Sequence, residues 1–181
     1  MEVSMVGHVF IATSLDGYIA RNDGDIRWLI ETSDPQEDYG YESFIRKMDG
    51  IVMGRGTYEK VLTFESWPYA QPVLVLSKHL ANASVPECLK GRVHFSALSP
   101  QAAMKHLEQE GLKNVYVDGG QVIQSFLRKG LISELTLTRV PILIGGGRPL
   151  FGSLAQDLVW VHLSTRAFPS GLVQSHYRVK Q

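Results

Sequence analysis

The chain has a single cysteine, Cys88, so no internal disulfide can form, which fits a reducing cytosol. No apolar run approaches the roughly 18 residues a membrane span needs. The opening residues Met1-Glu2-Val3-Ser4-Met5 carry no basic segment followed by a long apolar one. A cytoplasmic protein with no membrane partner is expected. Excess charge of one sign is also missing: 18 Lys and Arg offset 18 Asp and Glu. Binding that depends on neutralising phosphate backbones normally needs a basic surplus, so no nucleic-acid partner is expected. Charged residues are only 20% of the 181, which excludes a disordered polyampholyte. Long linkers, low-complexity stretches and solenoid-period repeats are absent, and residues 1–181 read as one domain.

Several site signatures fail as well. The histidines, His8, His79, His94, His106, His162 and His176, include no pair at helical i, i+4 spacing, so no metal site is expected. Gly145-Gly146-Gly147-Arg148-Pro149-Leu150 has Leu150 where a Rossmann fingerprint needs its third glycine. Gly147 to Ser153 has no Lys after Gly152, so it is not a Walker loop. That glycine run reads as a flexible connection between strands. No Gly-x-Ser-x-Gly elbow accompanies a serine nucleophile.

What is present is an alternation of short apolar strands and helical periodicities. His8–Leu15, Ile51–Met53, Val73–Leu76, Arg92–Phe95 and Val115–Val117 read as strands. Asp34-Pro35-Gln36-Glu37 reads as a capped helix start, with Tyr41, Phe44, Ile45 and Met48 on one face and Gly50 as the stop. Further helices are expected over about Thr57–Leu62, from Ser99-Pro100 to about Glu110, and around Val122–Leu127. Such alternation indicates a largely parallel sheet with helical crossovers. After residue 130 the pattern becomes two-faced: Leu135 and Leu137 alternate with threonines, as Val159, Val161 and Leu163 do with their neighbours, and Val173 to Val179 continues the alternation. Antiparallel strands are expected there.

Ligands bind beyond the carboxyl ends of strands in such sheets. Gly54-Arg55-Gly56-Thr57 and Asp118-Gly119-Gly120-Gln121 each join an apolar strand to a helix, where free N–H groups attract anions. Ser77-Lys78 ends a third strand with a hydroxyl and an ammonium. Each of these is also compatible with a plain turn. Candidate acids near the rim are Asp16, before Gly17 at the end of the first strand, and Asp38, at the start of the aromatic helix. Trp28, Tyr41 and Trp67 could stack on a planar ring, or simply fill the core.

Taken in order, Ile11–Ala20, Trp28, Val52–Glu59, Val75–Lys78, Val117–Gly120, Pro141–Gly147 and Pro149-Leu150-Phe151 resemble the dihydrofolate-reductase-like superfamily. The nearest branch is the reductase domain at the C-terminal end of the riboflavin-biosynthesis deaminase-reductase, with its stand-alone relatives. The resemblance implies a three-layer α/β fold: a mixed, mainly parallel sheet, antiparallel at its C-terminal end, with helices on both faces. It also implies an NADPH-dependent oxidoreductase acting on a small heterocyclic substrate, similar to 5-amino-6-(5-phosphoribosylamino)uracil reductase. A pterin reductase or a non-catalytic NADPH-binding protein are the alternatives. By motif, Gly54, Arg55, Gly56 and Thr57 would face the adenosine-phosphate side of NADPH. Ser77 and Lys78 would hold the 2′-phosphate, and Gly119, Gly120 and Gln121 the diphosphate. Ala12, Thr13 and Gly17 would flank the nicotinamide. Asp38, then Asp16, would be catalytic, and Trp28 and Tyr41 would meet substrate. Arg27-Trp28-Leu29-Ile30 stands where the riboflavin enzymes carry a Gln-Trp-Ile-Thr-like segment, so a hydroxyl is missing there. A homodimer is expected, with Trp160, Phe168 and Tyr177 at its interface.

Overall fold

The computed structural model describes residues 5–180. In chain order the elements are β1 (Val6–Ser14), β2 (Tyr18–Ala20), α1 (Arg27–Thr32), α2 (Tyr41–Ile45), β3 (Gly50–Gly54), α3 (Arg55–Val61), β4 (Val73–Leu76) and β5 (Val93–Ser96). Then come α4 (Pro100–Gln109), β6 (Asn114–Asp118), α5 (Gly120–Leu127), β7 (Ile132–Val140), β8 (Arg148–Pro149), β9 (Trp160–Ala167) and β10 (Val173–Val179). The strand order β5-β4-β3-β6-β1-β7-β10-β9 builds one eight-stranded sheet, while β2 and β8 form a separate two-stranded flap. Pairing is parallel from β5 across to β7, and antiparallel between β7 and β10 and between β10 and β9.

The strand alternation sorts the core into two layers. Val52, Leu74, Val115 and Val117 point to one face and pack under Ala103, Leu107, Ile123 and Phe126 of α4 and α5. Ile51, Met53, Val73, Val75 and Tyr116 point to the other, against Tyr58 and Val61 of α3 and the partly buried Tyr41 and Phe44 of α2. Trp28 of α1 joins Val140, Phe168 and Leu172 in a third cluster. Three layers with helices on both faces follow from these packings. Ser99 caps α4, its hydroxyl accepting from the Ala102 N–H at 3.3 Å, with Pro100 in the first turn.

Several local expectations need correction. The aromatic helix does not begin at Pro35; α2 spans only Tyr41–Ile45. Asp34 closes a local turn on the Gln36 N–H at 2.8 Å, and the Glu37 carboxylate accepts from the Ser170 N–H at 3.0 Å instead of completing a cap. Gly40, at φ 81°, interrupts the helical path. Asp38 therefore precedes the helix and does not sit in its first turn. Helix α3 starts at Arg55, earlier than Thr57. The sequence reading missed α1 and the β2–β8 flap, each too short to show a period. Phe168 is 5% exposed within the Trp28 cluster, so it is not available to a dimer interface. Among the described residues, no helix is long and apolar enough to cross a membrane, and no His, Cys, Asp and Glu group is arranged to hold a metal ion.

One feature of the sheet positions the site. Strand β1 pairs with β6 only from Val6 to His8, against Asn114 to Tyr116, but stays in register with β7 as far as Ser14. Beyond that point β1 is no longer paired with β6, and the two strands part toward their carboxyl ends. The Tyr116 hydroxyl donates to the Phe10 carbonyl at 3.1 Å, satisfying an acceptor that the lost ladder would leave free.

Candidate active site

The two glycine turns meet at the rim. Gly119 has φ 92°, a backbone region that glycine tolerates and other residues avoid. A Cβ built there would stand 2.5 Å from Thr57 Oγ1, so the β6–α5 turn lies directly against the start of α3. Neither α3 nor α5 has a side-chain cap or an acidic residue in its first turn. Their leading N–H groups are therefore without side-chain acceptors, a polarity suited to an anion. A Cβ at Gly120 would stand 2.9 Å from Ile19 Cδ1 and 3.1 Å from the Pro149 carbonyl oxygen, so the flap presses close on the same turn.

Ser77, Lys78 and Gln121, predicted separately, line one open groove of about 190 Å³ with Leu76, Leu98 and Val122 among its apolar walls. A flat base fits between such walls, and the ammonium at the end of β4 suits a phosphate. Arg55 leaves this group: its Nε faces Glu59 Oε1 at 3.7 Å along the exposed side of α3.

Ala12 and Thr13 lie on the diverging part of β1, and Thr13 is buried. Gly17 makes the following turn, its N–H donating to the Ser14 carbonyl at 3.0 Å and its carbonyl accepting from Leu150 N–H at 3.0 Å. Asp16 is committed to the same architecture. It accepts from the Ser14 hydroxyl at 2.6 Å and from the N–H groups of Ile144 and Gly145 at 3.2 and 2.8 Å. The Ser14 bond, then those of Gly145 and Ile144, outweigh partial desolvation and hold its carboxyl below the ordinary aspartate value. An anchored, ionised Asp16 ties the 141–147 loop to the first strand and has no proton to give at neutral pH. Asp38 is exposed, and its carboxylate accepts from Gly40 N–H at 2.7 Å.

The sequence marks Asp118 as part of a rim turn but does not number it among the candidate acids. It ends β6, immediately before Gly119, whose N–H it accepts at 2.8 Å. Burial pushes its carboxyl up to about 6, against the opposing pull of the Gly119 N–H and the Tyr116 hydroxyl. Tyr41 and Tyr69 lie close enough to feel its charge; desolvation first, then Asp118, raises both phenols. The signal was available: a carboxylate directly after a buried strand, two residues beyond Tyr116 and hence on its face. Tyr41 packs against Phe10 and Tyr116 with centroids 5.6 and 6.4 Å away. Trp28 is 4% exposed, Ala12 packs on its cluster, and its indole Nε1 has no hydrogen-bond partner. A buried donor left unpaired is costly, and a bound group can satisfy it.

These residues offer what an anionic nucleotide requires: an apolar-walled groove that ends at Ser77 and Lys78, two uncapped helix starts that meet at Gly119, and a buried Trp28 indole N–H without a partner.

Comparison with known proteins gives the family and the fold. Residues 7–174 match the family described as RibD C-terminal domain. The uncharacterised Bacillus subtilis (strain 168) protein YwjB is 33% identical over 172 residues, 93% of this chain and 95% of that protein. The crystal structure of a putative riboflavin biosynthesis protein from Shewanella sp. PV-4 has TM-score 0.91 and 40% identity, covering 98% of this chain and 100% of that one. A Thermotoga maritima diaminohydroxyphosphoribosylaminopyrimidine deaminase/5-amino-6-(5-phosphoribosylamino)uracil reductase shares the fold at TM-score 0.77 and 15% identity, with 98% of this chain on 57% of that one.

Proposed function

From a chain that belongs to the RibD C-terminal domain family, the reductase part of riboflavin-biosynthesis proteins, we propose an NADPH-dependent reductase of a small heterocyclic substrate, acting on a C=N or similar bond. The observation that carries this reading is the position of Asp118: a carboxylate that holds its proton to about pH 6, beside the paired glycines, where β1 and β6 part.

NADPH, when bound, supplies the hydride. Ser77 and Lys78 hold its 2′-phosphate, and Gln121 and the groove walls its adenine end. Gly119, Gly120 and the start of α5 take the diphosphate, with Thr57 alongside. Ala12 and Thr13 flank the nicotinamide, and Trp28, against whose cluster Ala12 packs, has an indole N–H without a partner in the protein. Asp118, which is protonated in a large fraction of molecules near pH 6, gives the proton that accompanies the hydride or orients a substrate nitrogen. Tyr41 walls the substrate side. This assigns the acid role to Asp118 in place of Asp38 and Asp16, both occupied in their own turns. The enzyme works as a homodimer in the cytoplasm on this reading, through the outer edge of β9, where Val161 and Leu163 are 45% and 40% exposed.

Fluorescence titration with NADPH and NADH tests the cofactor assignment. The wild type should favour NADPH, and Lys78→Ala should reduce that preference by about tenfold or more, the worth of one charge-assisted phosphate contact. Equal affinities for the two coenzymes in the wild type would remove the 2′-phosphate site.

A further inference from the structure

We propose that Arg148 is a diphosphate-binding residue for the bound dinucleotide, a role that rests on the cofactor reading above. The glycine run before it is then no flexible connection. Gly147 passes so close to β2 that a Cβ would stand 2.2 Å from the Ala20 carbonyl oxygen, and Ala20 is the pairing partner of Arg148. The side chain is thereby aimed by the flap. Its Nε and Nη2 both donate to the Asn22 carbonyl, at 3.3 and 3.1 Å. A guanidinium has five N–H donors, so this leaves three without that partner. No Asp or Glu oxygen lies within 4.0 Å of its nitrogens among the described residues.

The free side of the guanidinium faces bare backbone. A Cβ at Gly56 would lie 3.5 Å from Nη1, and one at Gly24 would lie 3.6 Å from it. Gly56 is in the first turn of α3, between Arg55 and Thr57, and Thr57 touches Gly119. The next flap residue, Pro149, lies against Gly120 and accepts from Gln124 Nε2 at 3.1 Å. Strand β8 thus crosses the starts of both α3 and α5, and places an uncompensated cation at their junction. Arg148 does not line the Ser77–Lys78 groove. Its charge therefore serves the diphosphate, which NADPH and NADH share, and not the 2′-phosphate that distinguishes them. A guanidinium grips adjacent phosphate oxygens as a fork, which an ammonium cannot do.

Calorimetric titration of the full chain with NADPH, NADH and 2′-AMP tests this. Arg148→Gln keeps an amide donor for the Asn22 carbonyl and removes the charge. It should weaken NADPH and NADH alike, by about tenfold or more, with their ratio unchanged. Binding of 2′-AMP, which has neither phosphate of the diphosphate, should stay within about twofold of wild type on that account. Arg148→Lys should fall between the two. Unchanged NADPH affinity in both variants overturns the proposal, and so does an equal loss of 2′-AMP, which would mark Arg148 as a purely structural tie. If the wild type binds neither coenzyme, the cofactor reading itself falls. Binding by the wild type with no effect of either substitution removes Arg148 alone.

Discussion

A carboxylate enclosed by protein gives up its proton later than one in water, and Asp118 shows what this does to both chemistry and stability. Its folded value of about 6 lies above the ordinary aspartate value of 3.8. Between those values the native state binds more protons than the unfolded chain, so this residue's contribution to stability falls as pH rises and is fully lost above about 6. Asp118→Asn should therefore stabilise the protein at pH 7–8, by up to about 3 kcal/mol for two pKa units, and the gain should disappear below about pH 4. The same substitution should cut kcat by about 10²–10⁴-fold, the usual worth of a general acid, while leaving NADPH affinity near wild type. In the wild type kcat should fall as pH rises through about 6, and the variant should lose that limb. Melting curves and a pH–rate profile together read both effects. Asp16 illustrates the opposite case: from sequence both are aspartates next to glycine at strand ends, and only the partners differ. Asp16 accepts from a hydroxyl and two backbone N–H groups, whereas Asp118 is half-buried beside Tyr116, Tyr41 and Tyr69.

At the scale of elements, the longer periodic segments were readable and the short ones were not. Helices α4 and α5 carry apolar residues at i, i+3 and i+4, α4 with a Ser-Pro start as well, and the structure places them where that pattern requires. Helix α2 failed because the residues expected to cap it found distant partners: Glu37 bonds Ser170, and no local rule reports that. The β2–β8 flap is held by single contacts, such as Leu150 N–H to the Gly17 carbonyl, and has too few residues for an alternation. The junction of the β3–α3 and β6–α5 turns is the element-level feature most sensitive to change. Gly119→Ala should destabilise the protein by about 1–3 kcal/mol through backbone strain at positive φ, with a further loss from the 2.5 Å approach to Thr57 Oγ1. Adding Thr57→Ala removes that oxygen and should recover the steric part only. Denaturant unfolding of the single and double variants separates the two contributions.

For the whole molecule, the exposed side of β9 is the surface that assembly would use. The strand ends the sheet with an unpaired outer edge, and Val161 and Leu163 are accessible on it. Light scattering after gel filtration should give twice the chain mass for the wild type, and Val161→Lys with Leu163→Lys should give the monomer. A monomeric wild type would remove the dimer from the proposal. The alternation of apolar strands and helices determined the three-layer plan, and the switch to two-faced strands after residue 130 determined the antiparallel end, because both are periodic signals written in neighbouring residues. The glycine pairs and Ser77-Lys78 marked the rim for the same local reason. Which carboxylate keeps its proton, where β1 leaves β6, and which arginine reaches the helix starts were decided only by the tertiary structure. Each depends on burial and on contacts between residues far apart in the chain: Phe10 with Tyr116, Asp16 with Gly145, Asn22 with Arg148. A sequence pattern carries no distance between such residues, and electrostatics depends on distance and enclosure.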